Sequence, residues 1–133
     1  MQPPQNIVYH KIAHVLELKW TDTTFELPAE LLRVYSPSAE VRGHSAEERK
    51  LQTGKKHVGI KAIEAVGNYA IRITFDDGHD TGIYSWDLLH DLGVNQETHW
   101  QTYLTELKTA NASRLPGISV GQWQPPSPTP GKA

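Results

Sequence analysis

Leu32-Arg33-Val34-Tyr35-Ser36-Pro37-Ser38-Ala39-Glu40-Val41-Arg42-Gly43-His44 leads from the end of a short apolar helix into a polar loop. The segment has the outline of a metal-binding loop, yet it contains no thiol. On its N-terminal side, His14 to Trp20 alternates, with Leu16, Leu18 and Trp20 on one face and Val15, Glu17 and Lys19 on the other. That period of two predicts a half-buried strand. Thr21-Asp22-Thr23 turns the chain, and Thr24 to Leu27 returns as a second strand. Pro28 suits the first turn of a helix, where its missing N–H has no intrahelical partner to lose, and Ala29 to Leu32 continue that helix.

On its C-terminal side, Gly43 to Gly54 is polar and charged, which predicts an exposed loop with a helical turn at Ala46–Leu51. Val58, Ile60 and Ala62 share a face, and the phase slips near Ile63, as a bulge would cause. Val66-Gly67-Asn68-Tyr69 is a hairpin signal, since Gly and Asn tolerate positive φ. Tyr69, Ile71, Ile73 and Phe75 then alternate with Ala70, Arg72 and Thr74. Asp76-Asp77-Gly78 turns again, and Asp80 to Tyr84 completes a three-stranded antiparallel meander. Ser85 is placed to cap a helix over Trp86–Leu92, with Gly93 stopping it and Asn95 capping the next. In that last helix Trp100, Tyr103, Leu104 and Leu107 form one apolar stripe.

Trp20-x-Asp22…Leu27-Pro28-x-Glu30-Leu31-Leu32 echoes Phe75-x-Asp77…Tyr84-Ser85-x-Asp87-Leu88-Leu89. Each copy reads strand, Asp turn, strand, helix. The expected fold is therefore α+β: small antiparallel sheets built from hairpins with short helices, in two ββα-like units. One domain is expected over residues 7–110, followed by a disordered Pro-rich tail over 113–133, in which Trp123 is a candidate anchor.

With 133 residues and a mean hydropathy of −0.51, the chain has the makings of a soluble globular domain. No apolar run approaches the ~18 residues of a membrane span, and Met1 to Asn6 lacks the pattern of a signal peptide. Zero cysteines exclude disulfides, thiolate metal sites and cysteine nucleophiles, and a cytoplasmic location is expected. Residues 33–72 hold 8 of the 13 Lys and Arg but 4 of the 15 Asp and Glu, a balance of +4 within a chain of net charge −2. Such a segment could face an anionic partner, although a pI of 6.4 is low for a dedicated nucleic-acid binder.

Catalytic motifs are missing. The seven histidines include no pair at i, i+4 with Glu between, and none is followed two positions later by Asp. Asp76, Asp77, His79 and Asp80 crowd one turn, where adjacent side chains rarely converge on a metal, so turn chemistry is the expectation. No Gly-x-Ser-x-Gly elbow surrounds Ser36, Ser38, Ser45 or Ser85, and Gly43, Gly54 and Gly59 lack phosphate-loop spacing.

Leu18-x-Trp20-x-Asp22, Leu27-Pro28, Leu32-Arg33 and Ser36-Pro37-Ser38-Ala39-Glu40-Val41-Arg42-Gly43 together resemble the γ-butyrobetaine hydroxylase N-terminal-like domain. Val66-Gly67-Asn68-Tyr69, Phe75-Asp76-Asp77-Gly78-His79 and Gly82-Ile83-Tyr84-Ser85-Trp86-Asp87-Leu88-Leu89 are similar to its second half, so the resemblance spans roughly Ile12 to Gly93. It implies a small α+β domain of unknown function that also occurs as a stand-alone bacterial protein. In the hydroxylases the domain precedes an iron- and 2-oxoglutarate-dependent catalytic domain; in other relatives it is fused to a P-loop protein of iron–sulfur assembly. The hydroxylase version holds zinc through a Cys-x-Cys-x-x-Cys loop and a later histidine. By that resemblance the cysteine positions fall at Ser36, Ser38 and Val41 and the histidine at His79. Structural zinc of that kind is not expected. Instead, Ser36, Ser38 and His79 are expected to hydrogen-bond, with Val41 adding apolar contact.

The leading expectation is a non-catalytic protein-interaction or accessory domain, not an enzyme, acting on an unknown protein partner. Two alternatives stand beside it. A metal-handling accessory to iron–sulfur assembly or to an oxygenase would need ligands converging at His79 with Asp76, Asp77 or His44. Anion or nucleic-acid binding would need Arg33, Arg42, His44, Lys55 and Lys56 to form a binding face. No cofactor is expected, and zinc or iron enters only with the metal alternative. Membrane is not an expected partner, and nucleic acid is disfavoured.

Overall fold

The computed structural model describes residues 1–42 and 49–116. They form an α+β fold of two three-stranded antiparallel sheets and four helices. The first sheet has the order β1 (Asn6–His10), β2 (Val15–Lys19), β3 (Thr24–Pro28), and α1 (Ala29–Val34) follows it directly. A short α2 (Ala39–Arg42) precedes the second sheet, of order β4 (Ile60–Val66), β5 (Ala70–Phe75), β6 (Gly82–Ser85). Then come α3 (Trp86–Val94) and α4 (Gln96–Thr109). The internal echo is thus real as architecture, but each copy is βββα rather than ββα. The added strand, β1, was not expected: its half-buried Ile7 and Tyr9 alternate with exposed Asn6, Val8 and His10, too faint a signal to read alone.

In β2 and β3, Leu16 faces Leu27 and Leu18 faces Phe25, and all three leucines are fully buried. Ile71, Ile73, Phe75 and Tyr84 form the matching inner face of the second sheet. Side chains from both sheets, α1 and α3 make one core. Bonds within the first unit and between the two units tie it together. The Ala29 N–H donates to the His14 carbonyl (2.8 Å), the Ile60 N–H to the Tyr9 hydroxyl (3.0 Å), and the Tyr84 hydroxyl to the Leu32 carbonyl (2.5 Å).

Several local expectations need correction. The bulge lies between Ile60 and Ala62, with Lys61 as the extra residue. It rephases β4 so that Ile60 and Ile63 both meet the core while Ala62 is exposed. Val66 pairs with Ala70, so Gly67 (φ +55°), Asn68 and Tyr69 form the turn and Tyr69 is exposed rather than on the inner face. Ser85 does cap α3, its Oγ accepting the Leu88 N–H at 3.1 Å. Gly93 does not stop that helix but lies within it, facing Phe25. Asn95 leads into α4 without a side-chain cap; its amide donates to Asp91 Oδ1 at 2.7 Å.

Tyr103 and Leu107 of α4 bury against Val34, with Trp100 and Leu104 at the margin of this second cluster. Beyond α4 the chain stays bonded to the domain past residue 113. The Gly54 N–H donates to the Ser113 carbonyl and the Lys56 N–H to the Arg114 carbonyl, both at 2.9 Å. The rest of the expected tail from residue 117, including Trp123, lies outside the described residues. So do 46–48 of the expected helical turn, and Arg49–Leu51 are not helical. No helix among the described residues is long and apolar enough to cross a membrane.

Candidate functional site

Two segments far apart in sequence meet at Ser36. Between α1 and α2 the chain folds on its own hydroxyls: Ser36 Oγ accepts the Ser38 N–H and Ser38 Oγ accepts the Glu40 N–H, both at 3.2 Å. These local bonds replace ladder bonds over Ser36-Pro37-Ser38 and start α2. Opposite lies the β5–β6 turn. Gly78 sits there at φ +93°, a conformation that side chains rarely adopt. Asp77 Oδ1 accepts the His79 N–H at 3.2 Å, and the Phe75 N–H donates to the His79 carbonyl at 2.9 Å.

Across the junction Ser36 Oγ lies 2.8 Å from His79 Nε2, and Ser38 Oγ lies 2.6 Å from Thr81 Oγ1. Glu40 closes both links, its Oε1 being 3.1 Å from His79 Nδ1 and 3.2 Å from Thr81 Oγ1. Val41, on the same helical turn as Glu40, is buried. Burial lowers the His79 pKa, as does the nearby Arg33 charge, against an opposing pull from Glu40.

Ser36, His79 and Glu40 have the connectivity of an acyl-transfer relay: hydroxyl to one imidazole nitrogen, carboxylate to the other. Exposure argues against that chemistry. A nucleophile has to meet substrate while its orienting acid stays buried. Here Ser36 is 1% exposed and the Glu40 side chain 65% exposed. A Cβ added to Gly82 would lie 2.5 Å from Ser36 Oγ, so no room exists there even for a methyl group. The surface depressions along α4 and beside Lys56 and Arg114 reach neither Ser36 nor His79.

The set Ser36, Ser38, Val41 and His79 does not fit a structural zinc. It offers one imidazole, two hydroxyls and the isopropyl group of Val41, and both imidazole nitrogens already have partners. The acidic turn does not gather either, since Asp77 faces Arg33 and Lys55 while His79 faces Ser36 and Glu40. Among the described residues no group of three or more His, Cys, Asp or Glu is placed to hold a metal ion.

Of the eight cations of the basic segment, Arg33, Arg49, Lys55 and Arg72 are engaged in ion pairs within the domain. Buried Arg33 and partly covered Lys55 converge on Asp77 Oδ2, at 2.9 Å and 2.5 Å, and Arg33 also donates to Gln52 Oε1 at 3.2 Å. Arg49 pairs with Glu106 and Arg72 with Glu64. Arg42 and Lys56 are exposed, while His44 lies outside the described residues. The structure therefore brings together Arg33 and Lys55, on one carboxylate. Glu40 and Thr81 escaped the sequence reading. Their only signal is that Ser38-x-Glu40 and His79-x-Thr81 repeat one spacing on two segments that prove to be neighbours.

Burial alone would raise the Asp77 pKa, but the bonds from Lys55, the His79 N–H and Arg33 outweigh it and hold it at about 2. A depressed carboxyl stabilises the fold fully above its unfolded value of about 3.9, and that contribution is lost as pH falls through about 2. Asp77→Asn is accordingly expected to flatten the stability–pH curve between those values and leave its slope near pH 7 unchanged. Urea midpoints measured from pH 2 to 7 check this; an unchanged acid limb would count against the ion-pair account.

Residues 7–90 match the family model described as gamma-butyrobetaine hydroxylase-like, N-terminal. A protein solved by NMR in solution is 44% identical with a TM-score of 0.78, the match covering 93% of this chain and 98% of the other. A second NMR structure is 46% identical with a TM-score of 0.75, covering 93% of each chain. A crystal structure of a protein of unknown function of the DUF971 family, from Acidithiobacillus ferrooxidans ATCC 23270, is 37% identical with a TM-score of 0.58. That match covers 68% of this chain and 91% of the other. No curated protein matches. With well over half of its residues under the family model, the chain belongs to the gamma-butyrobetaine hydroxylase-like N-terminal family.

Proposed function

We propose that this domain is a non-catalytic accessory module that binds a protein partner. The observation that carries the reading is the reversed exposure at the Ser36–His79–Glu40 cluster. Ser36 and His79 are turned inward and joined to each other, with Ser36 sealed by Gly82, while Glu40 faces solvent. The most reactive-looking part of the domain thus holds two segments together. What the surface offers instead is apolar: Ile12 is 100% exposed in the β1–β2 turn, Tyr69 is exposed in the β4–β5 turn, and Ile83 is exposed on β6. Exposed aromatic and aliphatic anchors of this kind are what protein partners bury.

The test is co-purification of the full chain from its native cell, beside a variant carrying Ile12→Asp, Tyr69→Ser and Ile83→Asp. One partner is expected at near-equal stoichiometry with the wild type and at least about tenfold less with the variant, with both proteins equally folded by circular dichroism. Hydrolytic turnover that disappears in a folded Ser36→Ala variant would instead make the protein an enzyme.

A further inference from the structure

The hydrogen bonds around His79 have a direction, and it can be worked out from their partners. An ionised carboxylate only accepts, so Glu40 Oε1 must receive hydrogens from both His79 Nδ1 and Thr81 Oγ1. His79 Nδ1 therefore carries the proton, and its Nε2 presents a lone pair to Ser36. Ser36 Oγ already accepts the Ser38 N–H, and its own hydrogen goes to Nε2. Thr81 spends its hydrogen on Glu40, so Ser38 donates to Thr81, and Ser38 Oγ accepts the Glu40 N–H. Every hydrogen in the cluster runs toward Glu40, and no buried side-chain nitrogen or oxygen among the described residues lacks a partner.

We propose that Glu40 is the anionic centre of a metal-free clasp, the point on which the side chains of both segments converge. Its polarity is the inverse of a metal centre. Ligands turn lone pairs toward a cation, whereas Ser36, Ser38, Thr81 and His79 pass hydrogens toward an anion. A divalent ion entering here would have to reverse the hydroxyl hydrogens and displace Ser36 from Nε2. Glu40 is thus a positioning residue that fixes the His79 tautomer and the seating of the β5–β6 turn, although its own side chain is mostly in solvent. An exposed glutamate with no such role contributes little to stability.

Long-range proton–nitrogen NMR of the ¹⁵N-labelled full chain at pH 7.5 tests this, the His79 ring being identified by its loss in His79→Asn. The wild type is expected to show the Nδ1–H tautomer and to keep its His79 signals unmoved by one equivalent of Zn²⁺. Glu40→Ala should mix the tautomers and lower Tm by about 5 °C, while Glu40→Gln, which keeps an acceptor oxygen, should retain the Nδ1–H form. An Nε2–H tautomer in the wild type would overturn the proposal. So would saturation of the His79 shifts by Zn²⁺, or a Glu40→Ala protein with unchanged tautomer and Tm.

Discussion

Arg114→Ala is expected to cost about 2–3 kcal/mol of stability. Glu30 is a carboxylate on α1 with 5% exposure, and Arg114 grips both its oxygens, Nε at 2.8 Å and Nη2 at 2.7 Å. Tyr103 OH adds a third bond at 3.2 Å. Removing the guanidinium leaves a charge in the interior with one neutral donor, which is the costly way to break a pair. The partial exposure of Arg114 places the effect at the low end, because water can approach from its side. Arg114 also stacks over the Trp100 ring, 4.9 Å from its centroid, so α4 loosens with it. Urea unfolding at constant slope measures the loss, and amide exchange at Gly54 and Lys56 should speed up, since both donate to the Ser113–Arg114 backbone. Adding Glu30→Gln to the variant is expected to recover part of the loss by removing the stranded charge. A cost below about 0.5 kcal/mol would mean that this segment merely rests on the domain.

Gly93→Val is expected to cost about 3 kcal/mol through overpacking. A Cβ at this position would lie 2.3 to 2.6 Å from the near atoms of the Phe25 ring. The ring has little freedom to withdraw, being held edge-on to Trp20 and His90 at centroid distances of 6.0 and 5.3 Å. Gly93→Ala opposes the same clash with a helix-propensity gain of about 1 kcal/mol, so it should destabilise less but in the same direction. A stabilised alanine variant, measured by thermal unfolding, would show that α3 can slide away from β3.

Local patterns carried most of the fold. Leu16 and Leu18 in β2, and Ile71, Ile73 and Phe75 in β5, could be read because a strand writes its buried face every second residue. The stripe of α4 and the Ser85 cap were legible for the same reason: their periods and bonds span four residues or fewer. β1 was not, because Ile7 and Tyr9 have meaning only once β2 lies beside them. Gly93 looked like a helix stop from its neighbours alone, and only Phe25, from the other half of the chain, explains it. At the candidate site the family resemblance pointed to Ser36, Ser38, Val41 and His79. Beyond one repeated spacing, nothing local marked Glu40 or Thr81, whose bond joins residues 41 positions apart.

By itself, the sequence determined the two hairpin-and-helix halves, the family, and the loss of every thiol that could hold a metal. Periodicity and residue chemistry are local properties, and they suffice for those conclusions. Tertiary structure alone decided that Arg33 and Lys55 spend their charge on Asp77, that Arg114 reaches back to Glu30, and that Ser36 is sealed against Gly82 while Glu40 stays in water. Those outcomes depend on which distant side chains arrive at the same place, and hence on which polar groups must find partners once water has left.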